Sequence, residues 1–443
     1  MFNSSSIFKI KTRILKRMIN KKQISMHEET SSRTINDDNN DLLLTNHSEY
    51  KPNSIFVLSL TFIIMLANTG AGIVFPIFPK YLVIFGGGPT QLGYLAAIFS
   101  AMVFLFSTPG GWLADKIGRR LLLFISMLLF SITNIMYAEA NSLLLLYVAR
   151  GLEGISVAGV TPVALSLISE HTTKKQRSFY VGIVNGGAQI GFIIGPVLGG
   201  IFFDLWGLKA PFYISAGLGI FSMLMVFFIP KESPLKDIDN NTNEKKEQKS
   251  STDKLQVLIF SLLTAVSFST FFSWALIEPG FSFYVYDVLG FTPTQFGLFV
   301  AIYASVVTVG QPLGGYLGQV FHKKLLIIIG LLIYSLSYLL LIIANNFYLV
   351  ALMGFFAGVG NALTMPIVSA EVTVAVPSKE KGTWLGVYSA LSNSAGFLGP
   401  IIGGAIYPLL GPTKTFIVSF SIPFSMLILI LFLYSSPSQS NRT

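Results

Sequence analysis

The sequence predicts an all-α membrane protein of twelve transmembrane helices, arranged as two repeats of six. Of its 443 residues, 52% are hydrophobic and 12% are charged, which is about half the charged fraction of an ordinary soluble domain. The apolar residues form continuous blocks, each long enough to cross ~30 Å of hydrocarbon as a helix. Continuous blocks favour helices, whereas barrel strands would alternate apolar and polar residues.

Twelve apolar blocks follow a polar tail, and a charged segment divides them six and six. We predict a disordered cytoplasmic tail at 1–53, a six-helix half at 54–230, a cytoplasmic linker at 231–254, a second six-helix half at 255–434 and a cytoplasmic tail at 435–443. The predicted spans are 54–83, 91–113, 120–138, 142–170, 177–203, 209–230, 255–286, 293–320, 324–344, 347–375, 382–408 and 413–434.

The distribution of lysine and arginine predicts the orientation. These residues concentrate in the tail, in the linker and in the loops that follow even-numbered spans, and cytoplasmic loops carry such an excess. Both termini are therefore expected on the cytoplasmic side of a multi-pass plasma-membrane protein. The net charge of +9 is explained by this rim, so we expect no nucleic-acid partner.

An internal repeat relates the two halves at a constant offset of 204 residues. PTQLG at 89–93 matches PTQFG at 293–297, and GPVLGG at 195–200 matches GPIIGG at 399–404. Halves with the same orientation are related by an axis along the membrane normal. This arrangement predicts a substrate site between them near the midplane, with alternating access.

Four motifs together with the two-by-six plan resemble the major facilitator superfamily, over roughly 54–434. GWLADKIGRR (Gly111–Arg120) is similar to the family's loop between helices 2 and 3. RGLEG (Arg150–Gly154) is similar to its helix 4 motif. The segments Gly191–Gly200 and Thr69–Leu82 resemble the drug:proton antiporter branch, and the resemblance implies a twelve-helix secondary transporter of that kind.

The first motif is predicted to form a conformational latch. The Asp115 carboxylate can meet the positive N-terminus of a neighbouring helix, and two glycines permit close approach and a tight turn. By resemblance, the latch closes when the transporter faces outward and opens when it faces inward. Its predicted members are Gly111, Asp115, Gly118, Arg119 and Arg120.

Three charged residues inside the spans are predicted to couple transport to protons. Arg150 and Glu153 share a helix face because residues three apart are neighbours, and charges at this depth face a bundle interior or an aqueous cavity. Glu278 precedes Pro279-Gly280, where a helix break is expected. Glu170 and Glu371 are expected to pair with the basic loops.

The third motif predicts a hinge and a tight contact between the halves, because glycines spaced by four allow helices to pack closely. Its residues are Gly191, Gly195, Pro196, Gly199 and Gly200.

Five further residues are predicted to line a cavity for an apolar or amphipathic solute. They are Asn68, Gln189, Phe271, Phe272 and Trp274.

The predicted function is secondary active transport, with proton-coupled efflux of amphipathic small molecules (the multidrug type). The alternative is a substrate-specific symporter or uniporter for a sugar, a nucleoside or an organic anion. With no cysteine, no phosphate-binding loop and scattered histidines, the chain is expected to need no cofactor or metal and not to be an enzyme. Its expected partners are a small-molecule solute, protons and the lipid bilayer, and it is expected to act as a monomer.

Overall fold

The computed structural model describes residues 54–229, 254–376 and 381–434. The predicted tails, and all of the predicted linker except its last residue, lie outside the described residues. Every regular element within the described ranges is helical.

The first half contains eight α-helices and ends in a short 3₁₀ turn, Val226–Phe228. The helices are α1 (Ser54–Val74), α2 (Phe78–Ile84), α3 (Pro89–Ile117), α4 (Arg119–Ala138), α5 (Leu143–Ala158), α6 (Val160–His171), α7 (Lys174–Trp206) and α8 (Ala210–Met225).

The second half contains five α-helices and one π-helical turn, Tyr284–Val288. The helices are α9 (Lys254–Phe283), α10 (Pro293–Val320), α11 (Lys323–Ile343), α12 (Phe347–Ala375) and α13 (Lys381–Leu433). The 53 residues of α13 would extend about 80 Å as one straight helix. Gly411 divides α13 into two spans, at 381–410 and 412–433, because its φ of 75° is not helical.

Eleven helical segments are long and apolar enough to cross a membrane, and the division of α13 at Gly411 raises the number of described spans to twelve. The predicted fold class is thus confirmed. Two predicted spans are interrupted: the first breaks between α1 and α2, where Pro76 follows the end of α1, and the fourth is interrupted at Gly159 between α5 and α6.

The two halves meet through contacts that obey the internal repeat. Gly93 lies against the carbonyl oxygen of Pro400, and Gly297 lies in the same way against that of Pro196. Each pair is related to the other by the offset of 204 residues. The repeated PTQ-x-G and GP-x-x-GG sequences therefore form two equivalent helix crossings between the halves, in which a side chain on either glycine would clash with backbone.

The two ends of the bundle differ in charge. We call the end whose loops carry most of the lysines and arginines the basic end, and the other the opposite end, which carries Glu139, Asp204 and Lys209. The lysines and arginines of the basic end include Lys116, Arg119, Arg120, Lys323 and Lys324.

The halves are closed against each other at the opposite end. The Thr90 hydroxyl donates to the Gly404 carbonyl at 2.8 Å, and the Thr294 hydroxyl donates to Asp204 at 2.5 Å. The Tyr286 hydroxyl donates to the carbonyl of Pro76 at 2.5 Å.

Near the basic end, the ion pairs join residues of one half: Arg119 pairs with Glu170, and Lys323 pairs with Glu371. The hydrogen bonds that join the halves therefore lie at the opposite end in the part of the chain that the structure describes.

Candidate functional site

A cavity lies between the halves on the closed side of the bundle. Its wall is formed by the segment after α1, by α2, α3 and α5 of the first half, and by α9 of the second half. The residues that line it are Phe75, Phe78, Pro79, Leu92, Leu95, Ala96, Arg150, Glu278 and Ser282. The wall is apolar except for Arg150, Glu278 and Ser282, so two groups of opposite charge face an otherwise apolar space.

Arg150 is held by a buried carboxylate on its own helix. Its Nη1 donates to Glu153 Oε2 at 2.6 Å, as expected for residues three apart on α5. The hydroxyl of Tyr137 on α4 donates to the same oxygen at 2.7 Å. Glu153 is 1% exposed, whereas the side chain of Arg150 is 16% exposed. The pair therefore presents its arginine to the cavity and keeps its carboxylate away from it.

Two aromatic rings flank the guanidinium of Arg150. The ring centres of Phe78 on α2 and Phe99 on α3 lie 4.8 Å and 4.3 Å from its central carbon. A cation over an aromatic face is attracted by the ring's quadrupole. These contacts and the ion pair with Glu153 fix Arg150 in one orientation on the cavity wall.

Glu278 contributes a carboxylate from the second half. It is half-buried, and no described residue makes a hydrogen bond or an ion pair with its carboxylate. Its backbone carbonyl accepts the Ser282 hydroxyl at 2.9 Å. The expected helix break at Pro279 is wrong, because α9 continues through this proline to Phe283 and only then loosens into the π-helical turn. Neighbouring contacts, such as Tyr407 against Gly280, support the helix there.

The five residues predicted to line a cavity do not line this one. Asn68 donates to the carbonyl of Ile64 in its own helix, at 2.8 Å. Gln189 is half-buried on α7 and Phe271 is 46% exposed. The remaining two make ring contacts: Phe272 stacks on Phe268 at 5.2 Å, and Trp274 stacks on Tyr303 at 5.7 Å.

Most residues of the glycine motif of α7 pack against α1 within the first half, whereas the sequence predicted a contact between the halves. Gly191, Gly195 and Gly199 face the backbone of α1 within the same half, at Met65, Thr69 and Ile73. Helical spacing correctly indicates close packing, but it does not identify the neighbouring helix.

Only the end of this motif reaches the other half. Gly200 lies against Thr294, and the carbonyl of Pro196 lies against Gly297. Of the motif's residues, Pro196 and Gly200 therefore lie at the contact between the halves, and the other three lie against α1 within the first half.

The predicted latch residues surround a one-residue turn between α3 and α4. Gly118 forms that turn with a φ of 92°. Asp115 is 68% exposed and pairs with Arg119 at 3.1 Å, within its own half. Arg120 donates to the carbonyl of Phe227 at 2.8 Å. Gly111 makes no close approach; this role falls to its neighbour Gly110, where a Cβ would lie 3.2 Å from Gly159.

The acids near the basic end pair with the basic loops, as predicted. Arg119 forms an ion pair with Glu170. In the second half, Lys323 pairs with the fully buried Glu371 at 2.7 Å, and the Tyr434 hydroxyl donates to the same carboxylate at 2.7 Å.

Sequence reasoning missed Tyr137, Phe75 and Phe78 as parts of the site. Tyr137 lies 16 residues from Glu153 on another helix, so no local spacing connects them. Phe75 and Phe78 belong to the FPIFPKYL stretch, in which two prolines separate short apolar runs. That stretch is a signal for an irregular segment, and irregular backbone in membrane proteins lines cavities.

The enclosed space, about 10 Å³, is the size of one water molecule in this state, and its wall carries groups that an amphipathic solute can contact. The wall offers apolar surface, a fixed ion pair and one carboxylate without a partner. In the described part of the chain, no group of three histidines, aspartates or glutamates stands close enough to hold a metal ion.

Comparison with known proteins agrees with this architecture. The family model described as Major Facilitator Superfamily matches residues 60–265 and 263–443. The quinolone resistance protein NorA of Staphylococcus aureus is 27% identical over 373 residues, covering 80% of this chain and 89% of that protein. Multidrug resistance protein 2 of Bacillus subtilis is 26% identical, covering 79% of this chain and 89% of that protein.

Solved structures share the fold. A bacterial homologue of the human lysosomal transporter Spinster, in an inward-facing and occupied conformation, has a TM-score of 0.67 at 19% identity and covers 85% of this chain and 93% of its own. The symmetric crossings, the twelve spans and the match of the family model over both halves lead to one conclusion: the chain belongs to the major facilitator superfamily.

Proposed function

We propose that the protein is a proton-coupled exporter of amphipathic small molecules, of the multidrug type, and that it acts as a monomer in the plasma membrane. The observation that carries the proposal is the unpartnered carboxylate of Glu278, which faces an apolar cavity across from an arginine that is already neutralised. The relatives named for quinolone and multidrug resistance support this reading.

The charges of the cavity explain how a proton and a solute would compete. The Arg150–Glu153 pair adds no net charge, so the cavity has one negative charge when Glu278 is ionised and none when it is protonated. An amphipathic molecule with a positive group binds most tightly when Glu278 is ionised. Because proton and solute favour different states of one carboxylate, release of one promotes binding of the other.

We assign the exchanged proton to Glu278 rather than to Glu153, the other acid predicted to couple transport to protons. The Oε2 of Glu153 accepts from two fixed donors, Arg150 and Tyr137, and the residue is 1% exposed. A carboxylate held in this way is less suited to repeated exchange with solvent than one that lines the cavity.

The basic loops support an orientation with the basic end in the cytoplasm. In that orientation we assign the described structure to the inward-open state, because its hydrogen bonds between the halves lie at the opposite end, and we expect both termini in the cytoplasm. An apolar compound dissolved in the cytoplasmic leaflet or in the cytoplasm would enter between the halves from this side.

The alternative, an importer of an organic anion, is less well supported. An anion would need an available cation in the cavity, but the charge of Arg150 is neutralised by its ion pair with Glu153. Sugars and nucleosides would need several polar partners, whereas most residues of the wall are apolar.

The direct test is transport of a quinolone into proteoliposomes with an acidic lumen. We expect accumulation above that of protein-free vesicles, which measure passive trapping, and we expect a protonophore to abolish the difference. Equal accumulation with and without protein would refute proton-coupled export. Accumulation that survives the protonophore would point to another driving ion.

Asp115→Asn is expected to slow transport roughly 2- to 20-fold with little loss of folded protein. The side chain is largely exposed in the inward-open state, so its loss costs this state little. If its charge stabilises the outward-open state at a helix terminus, the substitution shifts the population toward the inward-open state.

The measurement for Asp115→Asn is labelling of single cysteines introduced at the two ends, because the chain has none of its own. Gln319→Ala is the matched control, since Gln319 occupies the equivalent position in the second half. Unchanged labelling at both ends in Asp115→Asn would show that this loop is not a latch.

A further inference from the structure

We propose that Tyr137 is a positioning residue whose hydroxyl keeps the Glu153 carboxylate on Arg150, so that the cavity carries the charge of Glu278 alone. This inference rests on the proposed function, because it concerns the selection of charge by the same cavity.

The first argument is the geometry of Glu153. Its Oε2 receives two donors, Arg150 Nη1 at 2.6 Å and the Tyr137 hydroxyl at 2.7 Å. Tyr137 lies on α4, whereas the pair lies on α5. The hydroxyl therefore fixes the carboxylate from a direction that α5 itself does not supply.

The second argument comes from the repeat, which provides a comparison within the chain. At the offset of 204 residues, Tyr137, Arg150 and Glu153 correspond to Leu341, Gly354 and Ala357, all of them buried. The second half builds the same six-helix fold with apolar residues in these places. Folding therefore does not require the polar triad, and a buried ion pair is weak evidence of stabilisation.

The third argument concerns how Tyr137 is itself held. Its side chain is fully buried, and its ring meets Phe78 edge-on with centroids 5.1 Å apart. Its backbone carbonyl accepts the hydroxyl of Tyr81 at 2.5 Å. Because ring and backbone are fixed independently of the hydroxyl, phenylalanine at this position keeps the packing and loses only the donor.

The consequence of losing that donor is a change in the charge that a solute meets. With one donor instead of two, Glu153 holds Arg150 less firmly, and Glu278 is the carboxylate that lines the cavity. An arginine that turns toward Glu278 competes with a cationic solute for it. A neutral solute of the same shape is not affected by that competition.

The experiment measures equilibrium binding to purified protein of two matched probes, tetraphenylphosphonium (a permanent apolar cation) and uncharged triphenylphosphine oxide. In Tyr137→Phe we expect the dissociation constant of the cation to rise about tenfold, the scale of one hydrogen bond to a charged group. The constant of the neutral probe should stay within about twofold. In quinolone transport, KM should rise while the maximal rate is kept.

Tyr338→Phe is the matched control, because it also removes a buried hydroxyl, on α11 of the second half, away from the pair. A double variant of Tyr137→Phe with Glu153→Gln should bind the cation no more weakly than Glu153→Gln alone, since Tyr137 then has no charged group to position.

Three results would overturn the inference alone: an equal loss for both probes, full additivity in the double variant, or the same behaviour in Tyr137→Phe and Tyr338→Phe. A wild-type protein that binds neither probe and moves no quinolone would refute the proposed function, and the inference with it.

Discussion

Glu278→Gln is expected to abolish proton-driven accumulation of solute while the protein still folds and still binds a neutral probe. Glutamine keeps the shape and hydrogen-bonding capacity of the side chain but cannot exchange a proton. The variant should accumulate a quinolone no better than protein-free vesicles at any pH gradient. Binding of triphenylphosphine oxide should stay within about twofold, because the apolar wall is unchanged.

The same accumulation measurement on Glu153→Gln distinguishes the roles of Glu153 and Glu278. Glu153→Gln should keep proton-driven accumulation at a reduced affinity for cations, since Glu153 neutralises Arg150 rather than exchanging with solvent. Glu139→Gln, which removes an exposed acid outside the cavity, is the control for loss of a carboxylate. If Glu153→Gln loses coupling and Glu278→Gln keeps it, the assignment of the proton to Glu278 is wrong.

Gly297→Val is expected to trap the protein away from the inward-open state and to reduce transport at least tenfold. A Cβ at this position would lie against the carbonyl of Pro196, which belongs to the other half. Since that carbonyl is helix backbone, it cannot turn aside, so the halves cannot close at the opposite end. The open-outward population should rise accordingly.

The measurement is accessibility of a single cysteine at the opposite end to a membrane-impermeant reagent added from outside. Labelling should increase in Gly297→Val and, by symmetry, in Gly93→Val. Gly217→Val is the control, because Gly217 is exposed on α8 and a Cβ there meets no described atom within 4 Å. Similar labelling in Gly297→Val and Gly217→Val would contradict the model of closure at these crossings.

Sequence periodicity predicted much of this fold and a smaller part of the site. The lengths of the apolar blocks and the offset of 204 residues foretold twelve spans and two equivalent halves. The proximity of Arg150 and Glu153 also followed from local spacing, because residues three apart on a helix are neighbours. These features depend on distances along one helix or on a repeat of the chain.

Features that depend on which helices meet did not follow from the sequence. Gly191 and Gly200 belong to the same glycine motif on α7, yet the first faces α1 and the second faces the other half. The positions of Tyr137 and Glu278 around Arg150 likewise require the assembled bundle. The first span was predicted as continuous because its apolar pattern outweighed the local effect of Pro76.

The single unpaired carboxylate at the cavity sets the energetics of a transport cycle. If Glu278 carries the only exchanged proton, each solute molecule moves against one proton, and one pH unit supports about a tenfold concentration ratio. A monovalent cation exchanged for one proton transfers no net charge, so its export would not respond to membrane potential. An uncharged solute would transfer one charge per cycle, and about 2.3 kcal/mol per 100 mV would then add to the driving force. Voltage dependence that differs between charged and neutral substrates is thus a direct consequence of a neutralised arginine beside one free acid.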